Sequence, residues 1–281
     1  MIVDMRFRPP YRGFLSLHVF ARDPYDQRPG QQRVEPAPSL VRKSVELALE
    51  EMAQAGIDRG MVIGRRALPP FATVPNEDVL SFVTEHAGRF HAVPALEPSD
   101  FGAALEELED LRARPEVKAI HMEPGWAGEP MYADDRRLYP IYRRLTEIGM
   151  PLLLSAGGTI GPDYSYVDPV HIHRVAKDFP TLTLVLGHGG WPYVVQALAV
   201  AYDCPNVVLS PDMYLNVPNM PGSLEYVRAA NYYLADRLLF GTAYPARPMV
   251  ESIEHFHRLP FDEDVKPRVL GLNAARIFGL T

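Results

Sequence analysis

The sequence predicts a (β/α)8 barrel, a single layer of parallel strands ringed by helices, and three observations carry that expectation. Short apolar runs recur eight times along the 281 residues, and helical patterns separate them. Eight strands alternating with helices over about 250 residues is the size of such a barrel. The chain also lacks a Gly-rich dinucleotide loop, which the rival doubly wound open sheet would carry. No internal repeat, low-complexity tract or linker divides it, so residues 1–281 read as one barrel.

The elements run in order along the chain. Residues 2–8 (IVDMRFR) form the first strand and end against Pro9 and Pro10. Asp4, Arg6 and Arg8 alternate with Met5 and Phe7, so strict pleating puts the three charged residues on one face. Residues 9–38 are a long loop rich in Pro, Arg and Gln, expected to act as a lid over the strand ends. The helix 39–56 has Ser39 as its expected N-cap and Gly56 beyond its end. Strands come next at 60–65 and 91–96. A helix over 100–115 starts at the Asp100 cap and stops at Pro115, before the strand 117–123. The helix 134–149 ends at Gly149 and leads to the strand 151–156. The helix 168–180 carries Pro169 in its first turn, and the strand 182–188 succeeds it. Helix 191–205, strand 206–212, helix 223–237, strand 238–243 and helix 249–260 complete the alternation. Residues 262–281 are expected to be a terminal helix packed on the outside.

Composition narrows the function. With 47% hydrophobic and 22% charged residues the chain is of ordinary globular type. A net charge of −7 argues against nucleic acid or an anionic membrane surface as the partner. No run of 18 apolar residues is present, and the N-terminus lacks the basic-then-apolar layout of a signal peptide. A cytoplasmic location is therefore expected. Cys204, the single cysteine, reads as a small buried residue.

Barrels of this kind place function at the C-terminal strand ends. Read in order, those ends carry Arg6 and Arg8, Arg65, Glu97, His121 and Glu123, Ser155, His188, Asp212, and Ala243 with Tyr244. Ionisable side chains converge on one mouth. Two guanidinium groups about 6 Å apart at an effective dielectric near 20 repel by roughly 3 kcal/mol, so something negative must offset them. Asp4, Glu123 or Asp212 would do so structurally; a bound anion would do so functionally.

The segments GHGGWPYVVQALAVAYDCPNVVLS (187–210), LLFGTAYP (238–245), NAARIFGL (273–280) and ADDRRLYPIYRRLTEIGMPLLLSAGG (133–158) resemble the amidohydrolase-related family. That group includes aminocarboxymuconate-semialdehyde decarboxylase and resorcylate-type decarboxylases. The resemblance runs through nearly the whole chain. It implies a metal held by Asp-x-His-x-His on the first strand, a histidine on each of the fifth and sixth, and an aspartate on the eighth. Here the first strand reads Asp4-Met5-Arg6-Phe7-Arg8, the fifth offers Ser155, and the eighth offers Ala243. Only His188 survives. A guanidinium stays protonated and has no lone pair for a metal, so no metal and no other cofactor is expected. A metal held by His121, Glu123, His188 and Asp212 is the weaker rival.

The expected reaction is metal-independent and of hydrolase type, on a small anionic substrate, carboxylated and aromatic or polyketide-like. His188, Asp212 and Glu123 are the expected catalytic residues, His188 as acid and base near neutrality. Arg6, Arg8, His121, Ser155 and Tyr244 are the expected substrate contacts. A lyase step (decarboxylation, dehydration or cyclisation) at the same site is the alternative, because cations alone can stabilise a developing oxyanion. A non-catalytic ligand-binding or partner barrel is the third reading. Trp126 and Trp191 read as rim and packing residues. A homodimer is what the resemblance implies.

Overall fold

The computed structural model describes residues 1–26, 34–69, 71–158 and 160–280. Among the described residues seven parallel strands form two sheets. The first joins β1 (Val3–Phe7), β2 (Arg59–Ile63) and β3 (Phe90–Val93). The second joins β4 (Ile120–Met122), β5 (Leu152–Ser155), β6 (Leu184–Gly187) and β7 (Val207–Ser210). Single parallel bridges at Ala92–Val117 and Ala95–His121 join the sheets on one side. On the other, the expected eighth strand survives as an extended segment, 238–244. It is bridged to β7 at Leu209–Leu238 and to β1 at Phe7–Tyr244. The eight-unit barrel is therefore present, with its last strand reduced to bridges.

Inside the ring, Val3, Met5, Met61, Ile63, Val93, Ala119, Leu153, Val185, Val208 and Leu239 pack as one apolar layer. Phe7 belongs instead to the outer layer, stacked on Phe90 and Tyr244. The pairing of β1 with β2 slips between Asp4 and Phe7. That bulge breaks the strict alternation expected from the sequence, because an extra residue in a strand re-aims the side chains beyond it. Arg6 and Arg8 face the mouth, while Asp4 stays behind.

Asp4 makes no ion pair with the Arg6 guanidinium, which instead lies nearest Asp212. Asp4 Oδ1 accepts from the backbone N–H groups of Arg6 (3.0 Å) and Thr242 (2.8 Å), and its Oδ2 accepts from Thr242 Oγ1 at 2.5 Å. The carboxylate thus fastens β1 to the closing segment. Asp4→Ala leaves three buried donors without an acceptor, at about 1–3 kcal/mol each. We expect it to lower unfolding stability by at least ~3 kcal/mol in urea titration. A loss under about 1 kcal/mol would show that the segment closes the barrel without this tie.

Four expectations about the helices change. The helix expected over 39–56 is two, Pro38–Arg42 and Val45–Gln54, because Lys43 takes a left-handed conformation (φ 49). Ser44, not Ser39, caps the second helix through Leu47 N–H. An unexpected helix, Asn76–Glu85, fills the gap between β2 and β3. The C-terminal segment does not lie outside: Ala274, Phe278 and Leu280 pack on the interior layer and plug the bottom of the barrel. Asp100 and Asp168 cap their helices as expected, and Gly149 ends its helix at φ 66. The expected lid is described at 9–26 and 34–38 as short turns of helix, and its stretch 27–33 lies outside the described residues.

Candidate active site

A cavity of about 670 Å³ opens at the C-terminal end of the barrel. Its floor carries Arg6, Arg8, Arg65 and His188; Trp126, Trp191 and Tyr214 stand in its walls. That volume suits a small organic molecule.

The three guanidinium groups are buried but differently partnered. Arg65 donates twice to Glu123, Nε to Oε2 at 2.9 Å and Nη2 to Oε1 at 3.0 Å. That bidentate pair is complete, and Arg65 also lies 5.1 Å from the Trp126 ring, close enough for cation–π attraction. Arg6 reaches Asp212 only loosely, Nε to Oδ2 at 3.6 Å, and its Nη1 and Nη2 have no hydrogen-bond partner. Arg8 donates from Nε to the carbonyl of Ile63 at 3.2 Å, and its Nη2 is unpartnered. Among the described residues no carboxylate lies within ion-pairing distance of Arg8. Burial, together with Arg65 and Arg6 beside it, lowers Arg8 well below its ordinary pKa.

Asp212 and His188 form the second feature. Asp212 Oδ2 stands 3.3 Å from His188 Nδ1 and also faces the His188 backbone N–H at 3.4 Å. The Nδ1 contact is close but not aligned as a hydrogen bond. Ser210 Oγ donates to Asp212 Oδ1 at 2.9 Å. Burial pushes the Asp212 carboxyl up to about 6, against the pull of Arg6. Burial and Arg6 push His188 well below its ordinary value, so its imidazole is neutral at pH 7. His188, Asp212 and Ala243 all have positive φ, at 62, 53 and 61°. Such backbones cost about 1–3 kcal/mol each outside glycine and cluster at functional sites. Gly157 makes room for the first: a Cβ there would lie 2.6 Å from His188 Cβ.

The remaining expected site residues sit beneath or behind this surface. His121 is fully buried, its Nδ1 on the Gly64 carbonyl and its Nε2 on Ser155 Oγ, both at 2.8 Å. Burial lowers it to about 3, so it is neutral. Ser155 is engaged by that same bond. Glu123 would be raised by burial, but Arg65, His121 and Arg8 hold it well below the usual carboxylate range. It is committed to Arg65 and does not line the cavity. Tyr244 borders the cavity, yet its hydroxyl is 2.7 Å from Ser39 Oγ, which in turn donates to Glu51. Ser39, the expected cap, is thus a buried link between the closing segment and the helix Val45–Gln54. Arg65 and Tyr214 were missing from the expected contacts. Arg65 ends a strand, and Tyr214 lies two residues past Asp212, which are the signals that could have found them.

The donor set can be tested against a divalent metal. Arg6, Arg8 and Ala243 offer no ligand atom, Ser155 is bound to His121, and both nitrogens of His121 are engaged. Among the described residues the one grouping of three ligand atoms is His173, Asp203 and Cys204. It lies away from the mouth, and there Lys177 and His173 already occupy Asp203. The mouth does not fit a divalent cation.

Fold and site together define a (β/α)8-barrel protein with a cationic floor where many such barrels carry metal ligands. A family model described as amidohydrolase matches residues 3–280, and the chain belongs to that family of enzymes. No curated protein matches it. Among solved structures it is similar to an uncharacterized TIM-barrel protein from Bordetella bronchiseptica. The two are 42% identical over 99% of this chain and 98% of that one, with a TM-score of 0.92. It is also similar in fold to 2,6-dihydroxybenzoate decarboxylase from Rhizobium (18% identity, 99% and 98% coverage, TM-score 0.73). A third similar fold is 4-oxalomesaconate hydratase from Rhodopseudomonas palustris (18%, 99% and 96%, TM-score 0.66). Among the described residues no helix is long and apolar enough to cross a membrane.

Proposed function

We propose that this protein is a metal-independent lyase acting on a small carboxylate, which Arg6 and Arg8 bind and on which His188 and Asp212 move a proton. One observation carries the reading: three guanidinium nitrogens, Arg6 Nη1 and Nη2 and Arg8 Nη2, are buried beside an open cavity without a partner. An unsatisfied buried donor costs about 1–3 kcal/mol, and a carboxylate satisfies such forks bidentately. His188 takes a proton from the carbon next to the clamped carboxylate. The electron pair spreads onto oxygens already facing two cations. The bond to a group on the adjacent carbon then breaks as the double bond forms; the group departs with that bonding pair and takes the proton back from the His188 imidazolium.

Lyase chemistry suits the site better than the hydrolysis expected from the resemblance. Without a metal, hydrolysis needs a protein base positioned on a water, whereas a lyase step draws directly on guanidinium charge to stabilise the developing oxyanion. The decarboxylase and the hydratase among the similar folds are both lyases. A clamp that holds the carboxylate favours elimination or addition, since decarboxylation removes charge from the clamped group.

The test is a turnover and thermal-shift screen with mono- and dicarboxylates, run with and without chelator beside elemental analysis. We expect carboxylates to raise Tm, substoichiometric zinc, manganese and iron, and no effect of chelation. A tightly held metal whose removal abolishes turnover would overturn the proposal.

A further inference from the structure

Tyr214 is a polar group of the cavity that neither the guanidinium floor nor the His188–Asp212 pair employs. Tyr214 lies in the short helix Met213–Asn216, directly after Asp212. Its ring stacks on Trp191 with centroids 4.8 Å apart and planes at 12°. It also stands edge-on to His188 at 5.7 Å and 87°. Two neighbours therefore fix the ring's plane. A third fixes its tip: a Cβ on Gly158, which sits at φ +69, would fall 2.5 Å from the Tyr214 hydroxyl oxygen. Glycine at 158 is what lets the hydroxyl occupy that place.

The hydroxyl placed there is unused. Among the described residues it has no hydrogen-bond partner, although Tyr214 lines the cavity. The fully buried tyrosines, by contrast, are satisfied within the fold: Tyr142 donates to the Ala133 carbonyl at 2.7 Å, Tyr226 to the Gly189 carbonyl at 3.0 Å, and Tyr244 meets Ser39. Tyr214 is only half-buried and lines the cavity, so its hydroxyl is open to a bound molecule. Burial, reinforced by the Asp212 carboxylate, pushes the Tyr214 phenol up to about 12, so it stays a donor throughout the working pH range.

We propose that Tyr214 is a substrate-orienting residue, and that the molecule seated on Arg6 and Arg8 is a carboxylate bearing a second oxygen, hydroxyl or carbonyl, which this phenol reaches. The inference rests on the reading of Arg6 and Arg8 as the anion floor. It adds a second fixed point, so the substrate is held by two oxygens across the cavity and cannot turn about its carboxylate. Hydroxy and oxo carboxylates are thereby selected over plain ones of the same size.

The probes are benzoate and its three monohydroxy isomers, with binding measured by calorimetry on the full chain. In the wild type at least one hydroxy isomer should bind more tightly than benzoate by about tenfold, the scale of one neutral hydrogen bond. Tyr214→Phe should erase that advantage and leave benzoate affinity within about twofold. Gly158→Ala, which displaces the hydroxyl but keeps it, should erase it too. A merely structural Tyr214 would lower all four affinities together, and that result overturns the assignment. So does an advantage that persists in Tyr214→Phe, or none in the wild type. Arg8→Ala separates the two readings: if it leaves benzoate binding intact, the anion floor itself has failed.

Discussion

Arg8→Met is expected to make the folded protein more stable and at the same time unable to bind its anion. Arg8 is buried, ties one N–H to the Ile63 carbonyl, leaves another without a partner and meets no carboxylate among the described residues. Burying an uncompensated charge costs several kcal/mol, and replacing buried charge by an apolar side chain of similar length is stabilising by about 1–4 kcal/mol. Methionine fits because it is unbranched and fills irregular space. Loss of the bond to Ile63 returns about 1 kcal/mol, so a net gain of up to ~3 kcal/mol is expected in urea titration without ligand. Carboxylate affinity should fall by at least ~30-fold, the scale of a hydrogen bond to a charged group.

The neighbouring Arg65→Met should behave in the opposite way. Its removal strands Glu123, a buried carboxylate whose two oxygens both face Arg65. Breaking one partner of such a pair costs about 3–5 kcal/mol. The two substitutions remove the same charge from the same floor, so the contrast isolates partnering as the cause. Equal destabilisation by both would mean that Arg8 is as structural as Arg65, and the floor would have no free cation to offer.

The same contrast explains what could and could not be read from the sequence. The strand order was legible because each strand is an apolar run flanked by helical periodicity, as in LLLS (Leu152–Ser155) before the helix Pro169–Asp178. The convergence of Arg6, Arg8, His188 and Asp212 was legible because strand ends in a barrel must meet. Which acid meets which base was not, since that depends on register across strands. Glu123 serves Arg65 rather than Arg6 or Arg8, and Asp4 serves Thr242, while a bulge within β1 shifts what the side chains beyond Asp4 face. The helix Asn76–Glu85 carries no start signal in the sequence: it comes after a Pro-rich stretch, and its N-cap is Pro75. Lys43 in the left-handed conformation broke a periodicity that continued in sequence. The plug formed by Phe278 and Leu280 shows no amphipathic signature different from that of an outer helix; its place is set by the open barrel bottom that it fills.

Asp212 supplies the largest expected effect on rate, and its sign is set by burial. Its folded pKa of about 6 lies above the unfolded value near 3.9. Between those values the native state holds more protons than the unfolded chain, so stability falls as pH rises through that window, by about 3 kcal/mol in all. Activity should run the other way. Proton removal by neutral His188 leaves an imidazolium whose Nδ1 faces Asp212 Oδ2 at 3.3 Å, and only the ionised carboxylate stabilises it. We therefore expect kcat/KM to climb with pH through about 6 with a slope of one proton. Asp212→Asn should flatten both profiles at once, raising stability at pH 7 while lowering turnover by about 10²- to 10⁴-fold, the range of general acid–base catalysis. The coupling is the informative part. A carboxylate kept only for structure would cost stability when replaced, whereas one held in its charged form against the fold's preference is held there for chemistry. Should Asp212→Asn retain full turnover, or should the stability profile stay flat between about pH 4 and 6 in the wild type, His188 would be acting without this partner.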